Sequence, residues 1–418
     1  MRKRSYFDSP QYIEILKRQK RHQRPNCNEI LEGLKDFQKA TVDYVFRRLY
    51  TDDDCTRRFL VADEVGLGKT LVARGVIAKA IDLLWEKGVP RIDIIYICSN
   101  SNIASQNISK LYFLGYGVPS VSRISLLPAK IKNLKENRIN FVALTPGTSF
   151  EMSSGTGIGE ERALLFWMLK DEWNLDDGKP MNVFRGGMTL MNFKRLVGKY
   201  PKNEIDPQLK ASFLSLLHNC EDNAVNNSRT GLGKRVQELS KAFMEPRMGV
   251  HRKRELEKES NRCISELRAL LVRSCLKALE PDLIILDEFQ RFKHLMYGEE
   301  GEDDSAMSAR ELARGLFSYA DENSEARVLL LSATPYKMYT TMDEAGVEDH
   351  YRDFLRTYEF LIQDLDEMKI CESTIREYRQ ELFRIGKDDD ARLMHLKKAL
   401  EEQLQGYGEN RAACGFRG

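Results

Sequence analysis

Five short apolar runs punctuate this chain, and each one breaks off in small or acidic polar residues. Phe59-Leu60-Val61-Ala62 runs into a glycine-containing turn, and Arg91 to Cys98 ends in Ser-Asn-Ser-Asn. Ile139 to Leu144 stops at Thr145-Pro146-Gly147-Thr148, Leu283 to Leu286 at Asp287-Glu288-Phe289-Gln290, and Val328 to Leu331 at Ser332-Ala333-Thr334-Pro335. Largely apolar runs of this length are the pattern of strands buried on both faces. Helical spacing of apolar residues fills the gaps: LVARGVIAKAIDLLW follows the first run, and a helix is expected from about Ile103 after the second. Strands alternating with helices predict an α/β fold with a parallel sheet and ligands at the carboxyl ends of its strands.

Other stretches fill out the plan. Ser9-Pro10 has the chemistry of a helix start, and the helix it opens carries Lys17, Arg18, Lys20, Arg21 and Arg24, a solvated face or a phosphate contact. Leu34 to Gln38 opens an amphipathic helix with Ala40, Val42, Tyr44, Val45 and Leu49. From Thr148 to Asp287 there are 287 − 148 = 139 positions, far more than a connecting loop. The stretches ERALLFWMLKDEW, LKASFLSLLHN and CISELRALLVRSCLKAL within them are helical in spacing, so a helical insertion is expected. Its basic stretch (Lys234, Arg235, Arg247, Arg252, Lys253, Arg254, Lys258, Arg262) is open to a polyanion, while Glu255, Glu257 and Glu259 suit a plain charged helix. Gly155-Thr156-Gly157-Ile158-Gly159 and Gly231-Leu232-Gly233-Lys234 have no strand before them and read as flexible turns. The acidic cluster Glu299, Glu300, Glu302, Asp303 and Asp304 reads as a mobile loop, and a helix is expected around Ser308 to Tyr319. Tyr351 to Gln405 is helical and charged, and the tail GYGENRAACGFRG frayed.

Composition narrows the class. With 418 residues there is room for two or three domains. The charge balance, 65 − 63 = +2, leaves any nucleic-acid binding to local patches. Eight cysteines without a CxxC pair suit free thiols in a reducing compartment. The absence of a membrane-length apolar run and of an apolar core near the N-terminus makes a cytoplasmic protein, away from membranes, the expectation.

Candidate chemistry concentrates at the strand ends. FLVADEVGLGKT passes from strand to glycine loop to helix, the context in which GKT binds phosphate. Gly66 and Gly68 let the loop's amides and the positive end of the next helix surround phosphate oxygens. Lys69 can place a point charge on the β- and γ-phosphates, and Thr70 a hydroxyl on magnesium. The common pattern begins with a glycine where this chain has Asp63. Gln38, one helix upstream, has an amide able to pair with adenine. Asp287 can hold magnesium and Glu288 can polarise an attacking water. Gln290 can sense the γ-phosphate, and Ser332 and Thr334 can couple its loss to a nucleic-acid groove.

Together, Gln38, Asp63 to Thr70, Asp287 to Gln290 and Ser332 to Thr334 resemble the first motor lobe of a superfamily-two helicase. The likeness is to the bacterial DExQ group, which shares the DEVGLGKT loop of SWI/SNF-type DNA translocases. It covers roughly residues 30–150 and 280–340. In that family Asp63 is normal. The resemblance implies a RecA-like P-loop domain, ATP and Mg2+ as cofactors, and nucleic acid, DNA rather than RNA, as partner. It also implies strand-backbone contacts near Ser99, Gln106, Thr145 and Gly147. Such motors have a second lobe that supplies arginine fingers. Only 418 − 334 = 84 residues follow Thr334 here, with no closing arginine motif, so the lone chain is expected to bind ATP but hydrolyse it slowly unless a second lobe or partner subunit completes it. The expected division is a basic N-terminal helix (1–29), the lobe in two parts (30–150 and 280–340), the insertion (151–279) and a helical C-terminal segment (341–418). A non-catalytic, ATP-dependent interaction module is the alternative. A small-molecule kinase is disfavoured because it has no need of DEFQ paired with SAT.

Overall fold

The computed structural model describes residues 24–62, 67–100, 107, 111, 123–150, 157–175, 178–199, 205–245, 248–297, 304–320, 325–332, 350–382, 391–405 and 407–410. All five apolar runs are strands: β1 (Arg58–Ala62), β2 (Ile92–Cys98), β3 (Ile139–Leu144), β4 (Pro281–Asp287) and β5 (Arg327–Ser332). They form a parallel sheet in the order β3-β2-β4-β5-β1. A sixth strand, β6 (Gly408–Asn410), pairs parallel with β1. The tail expected to be frayed therefore contributes an edge strand, and the Leu60 amide donates to the Tyr407 carbonyl at 2.8 Å. The physical reason is the outer edge of β1, whose backbone groups need partners that no apolar pattern in the tail announces.

Among the described residues the helices of ten or more residues are, in chain order, α1 (Asp36–Tyr50), α2 (Lys69–Glu86), α3 (Gly159–Leu169), α4 (Leu190–Lys199), α5 (Pro207–Asn226) and α6 (Leu232–Ala242). They continue with α7 (Val250–Ala278), α8 (Asp304–Phe317), α9 (His350–Ile362), α10 (Leu365–Leu382) and α11 (Ala391–Gln405). The alternation of side chains along each strand divides the core in two. On one face Phe59, Val61, Ile94, Tyr96, Leu329 and Leu331 pack with Val42 and Val45 of α1 and Val72, Val76 and Ile77 of α2. On the other, Leu60, Ile95, Val142, Ile284 and Leu330 share a core with Leu164 of α3, Phe213 of α5, and Leu267 and Leu271 of α7. The helices between 159 and 278 thus cover a face of the sheet. Each fully buried aliphatic side chain contributes about 1.5–3 kcal/mol.

The packing of α1 on α2 sets the height of Gln38. At Gly75 a β-carbon would stand 2.6 Å from Val42 Cγ2, so α1 crosses α2 where no side chain intervenes. This brings the first turn of α1 level with the start of α2.

Charged contacts tie the outer helices down. Arg58, buried at the start of β1, donates to the carbonyls of Phe360 (2.6 Å) and Phe317 (3.3 Å) and stacks 3.9 Å from the Phe360 ring. Burial pulls its pKa down to about 10, still charged at neutral pH. In the basic stretch, Arg235 pairs with Glu259 and Glu266, Arg262 with Glu259 and Arg252 with Glu255. Those arginines behave as a charged helical surface. Arg24, from the N-terminal basic run, pairs with Asp82 and Glu86 of α2, and the rest of that run lies outside the described residues. Gly231-Leu232-Gly233-Lys234 is the cap and first turn of α6, with the Gly233 amide on Glu221 Oε1 at 2.8 Å, and so is ordered rather than a flexible turn. Gly157 is likewise ordered, its carbonyl accepting from Arg162 Nη1 at 2.6 Å, while 155–156 and the acidic stretch 298–303 lie outside the described residues. The seven described cysteines are unpaired. Among the described residues no helix is long and apolar enough to cross a membrane.

Candidate nucleotide-binding site

The carboxyl ends of β1, β5, β4 and β2 lie in a row. Ala62 is level with Ser332, Leu331 with Asp287, and Asp287 with Cys98. With strands about 4.8 Å apart, the end of β1 stands about 10 Å from Asp287. The N-terminus of α2 opens onto this row. Gly68 caps α2 in the left-handed region (φ 85°), and its carbonyl accepts from the Leu71 (2.8 Å) and Val72 (3.1 Å) amides. Lys69 and Thr70 are the first two helical residues and are partly exposed. The first amides of a helix have no intrahelical acceptor and carry the positive end of its dipole, which favours an anion there. Asp63, Glu64, Val65 and Gly66 lie outside the described residues.

Gln38 is buried against this loop. Its Nε2 donates to the Leu67 carbonyl at 3.1 Å, and its Oε1 accepts the Lys35 amide at 3.1 Å as half of a capping box. One N–H and one lone pair of the amide remain for a base edge. The backbone angle favours glycine at position 68, and a β-carbon there would stand 2.5 Å from Gln38 Nε2, so any other residue would also displace that amide.

Asp287 ends β4 on the same sheet face as α2 and is 8% exposed. The Tyr96 hydroxyl makes a short hydrogen bond to Oδ2 of Asp287, and Asn107 Nδ2 donates to the same oxygen at 3.2 Å and to the Tyr96 oxygen at 2.9 Å. Burial, reinforced by the Asp287 charge, holds the Tyr96 phenol far above its ordinary pKa, so it stays a proton donor. Among the described residues none bonds to Oδ1 of Asp287. Glu288 follows in a left-handed conformation (φ 51°, ψ 42°), its amide on the Leu331 carbonyl at 3.1 Å and its Oε2 3.1 Å from Arg291 Nε. A non-glycine residue in that region is uncommon and costs backbone energy. Gln290 Nε2 donates to the Oγ of fully buried Ser332 in a short contact that joins the ends of β4 and β5.

Ser99 and Thr145 follow β2 and β3, and Gly147 is exposed in the short helix Pro146–Ser149. The buried Oγ atoms of Ser99 and Ser149 have no hydrogen-bond partner among the described residues. Gln106 and Thr334 lie outside the described residues.

Among the described residues no three or more His, Cys, Asp or Glu side chains gather around a metal-sized site. Magnesium needs fewer: it keeps waters and takes one or two protein carboxylates plus phosphate oxygens. Asp287 fits that donor set, with one oxygen held and the other open. Tyr96 was legible as the one hydroxyl in the buried run of β2, which must find a partner. Asn107 and Arg291 carry no such signal. No protein-family model matches this chain, and neither does any curated protein.

Proposed function

We propose that this chain is the ATP-binding lobe of a nucleic-acid-dependent ATPase, a DNA helicase or translocase with a RecA-like P-loop core that hydrolyses ATP when a second lobe completes it. The observation that carries the reading is the bond between Gln290 and Ser332. It joins the strand ending in the carboxylate pair to the strand lying between it and the phosphate-loop strand. Magnesium, when bound with the nucleotide, would supply neutralisation of the phosphate charge. The chain's own residues divide the remaining work. The first amides of α2 and the Lys69 ammonium bind the triphosphate, with Thr70 and Asp287 as the groups that hold the metal. Gln38 offers its remaining donor and acceptor to the base. Glu288 orients the attacking water and accepts its proton once Arg291 releases it. Gln290 reports the γ-phosphate to Ser332, and Thr334 extends that route toward the groove. The resemblance assigns contact with the tracked strand to Ser99, Gln106, Thr145 and Gly147. The preference for DNA over RNA and the need for a second lobe follow from the resemblance alone.

Steady-state ATPase measured with and without DNA or RNA tests this. The slow hydrolysis expected of the lone chain is expected to rise on adding nucleic acid, DNA above RNA. Glu288→Gln is expected to lower turnover by about 10²- to 10⁴-fold while ATP still binds. A rate that ignores both nucleic acid and the substitution would contradict it. The Glu288–Arg291 pair favours one other reading, a nucleotide-switched interaction module in which the carboxylate stays committed. Normal ATP affinity with no hydrolysis under any condition, and an ATP-dependent protein partner, would select it.

A further inference from the structure

The Tyr96–Asn107–Asp287 cluster is the most completely built polar arrangement around the candidate site. Three groups converge on one carboxylate oxygen's surroundings: a buried phenol from β2, a half-buried amide from the helical turn after β2, and the carboxylate at the end of β4. Both donors choose Oδ2, which fixes the carboxylate's rotation and leaves Oδ1 without a bond from any described residue. Hydrogen bonds to the charged form of a metal-binding carboxylate orient it and are needed for full metal affinity.

We propose that Tyr96 and Asn107 are positioning residues that hold Asp287 for a magnesium–nucleotide complex. This rests on Asp287 being the magnesium carboxylate. Asn107 touches both the carboxylate and the phenol that orients it.

The test uses the full chain and a fluorescent (methylanthraniloyl) ATP, titrated in EDTA and then with rising Mg2+, for the wild type, Tyr96→Phe and Asn107→Ala. Tyr96→Phe keeps the ring that fills the core and removes only the hydroxyl. The expected result is an unchanged metal-free affinity and a Mg2+ midpoint raised about ten-fold or more in each variant. Asp287→Asn, the reference, is expected to raise the midpoint further. Equal losses with and without Mg2+ would mark a merely structural role, and unchanged midpoints would mark no role; either overturns the proposal while the ATP-binding reading stands. A wild type that binds no nucleotide overturns that reading and this one with it. Should Tyr96→Phe fail to fold, Asn107→Ala, at a half-buried helical position, decides alone.

Discussion

Replacing Lys69 with alanine is expected to weaken ATP binding by about 10- to 150-fold, the equivalent of the 1.5–3 kcal/mol that a hydrogen bond to a charged group is worth. The reasoning starts from position. Lys69 is the first residue of α2, directly after a glycine held at φ 85°, and its charge adds to a helix end that already favours anions. Alanine is the best helix former, so the substitution leaves α2 intact and the loss reports on the ligand contact. If the ammonium meets the β- and γ-phosphates as proposed, AMP affinity is expected to change little. Titration of the fluorescent nucleotide checks the first effect, and competition by ATP and AMP the second. Equal loss for ATP and AMP, or no loss, would remove Lys69 from the phosphate site.

Glu161→Ala is expected to cost about 3–5 kcal/mol of stability, the toll of leaving a buried charge without its partner. Glu161 is fully buried at the start of α3. It accepts the Ile158 amide at 2.7 Å and Arg268 Nη2 at 3.0 Å, takes a short bond from the Ser125 hydroxyl, and has Arg123 at 3.5 Å. Arg268 lies on α7 and is itself 4% exposed. Removing the carboxylate strands the guanidinium in the core and frees the first turn of α3. Urea unfolding measures the effect. The Glu161→Met, Arg268→Met pair is expected to cost much less than either change to alanine alone, since no charge is then left buried. A single-substitution cost below about 1 kcal/mol would mean that water reaches this pair.

What could be read from the sequence divides by range. The first five strands were legible because a strand buried on both faces is apolar at nearly every position, a signal that needs no knowledge of its neighbours. Their polar ends were legible for the same reason, which is why Asp287, Gln290 and Ser332 could be placed at one edge. Pairings across the sheet were not. Tyr96 reaches Asp287 across 191 positions and Arg268 reaches Glu161 across 107, and both contacts depend on strand register and helix docking. Gln38 could be placed beside the loop, but its bond to the Leu67 carbonyl depends on the close crossing of α1 and α2 at Gly75. The three residues of β6 have no apolar pattern and are a strand only because β1 offers an edge. The helical character of 159–278 was plain in its spacing, whereas the sharing of a core with the sheet lies in which faces meet.

The location of the nucleotide is the measurement on which most depends. Amide hydrogen exchange of the full chain, compared with and without ATP and Mg2+, is expected to slow at residues 67–72, at the start of α2, and at 287–290, at the end of β4. The Lys69→Ala protein is expected to lose that protection at the same ATP concentration. Nucleotide binding that leaves both segments unprotected, or protects only segments away from the carboxyl ends of the strands, would contradict the assignment of this edge as an ATP site.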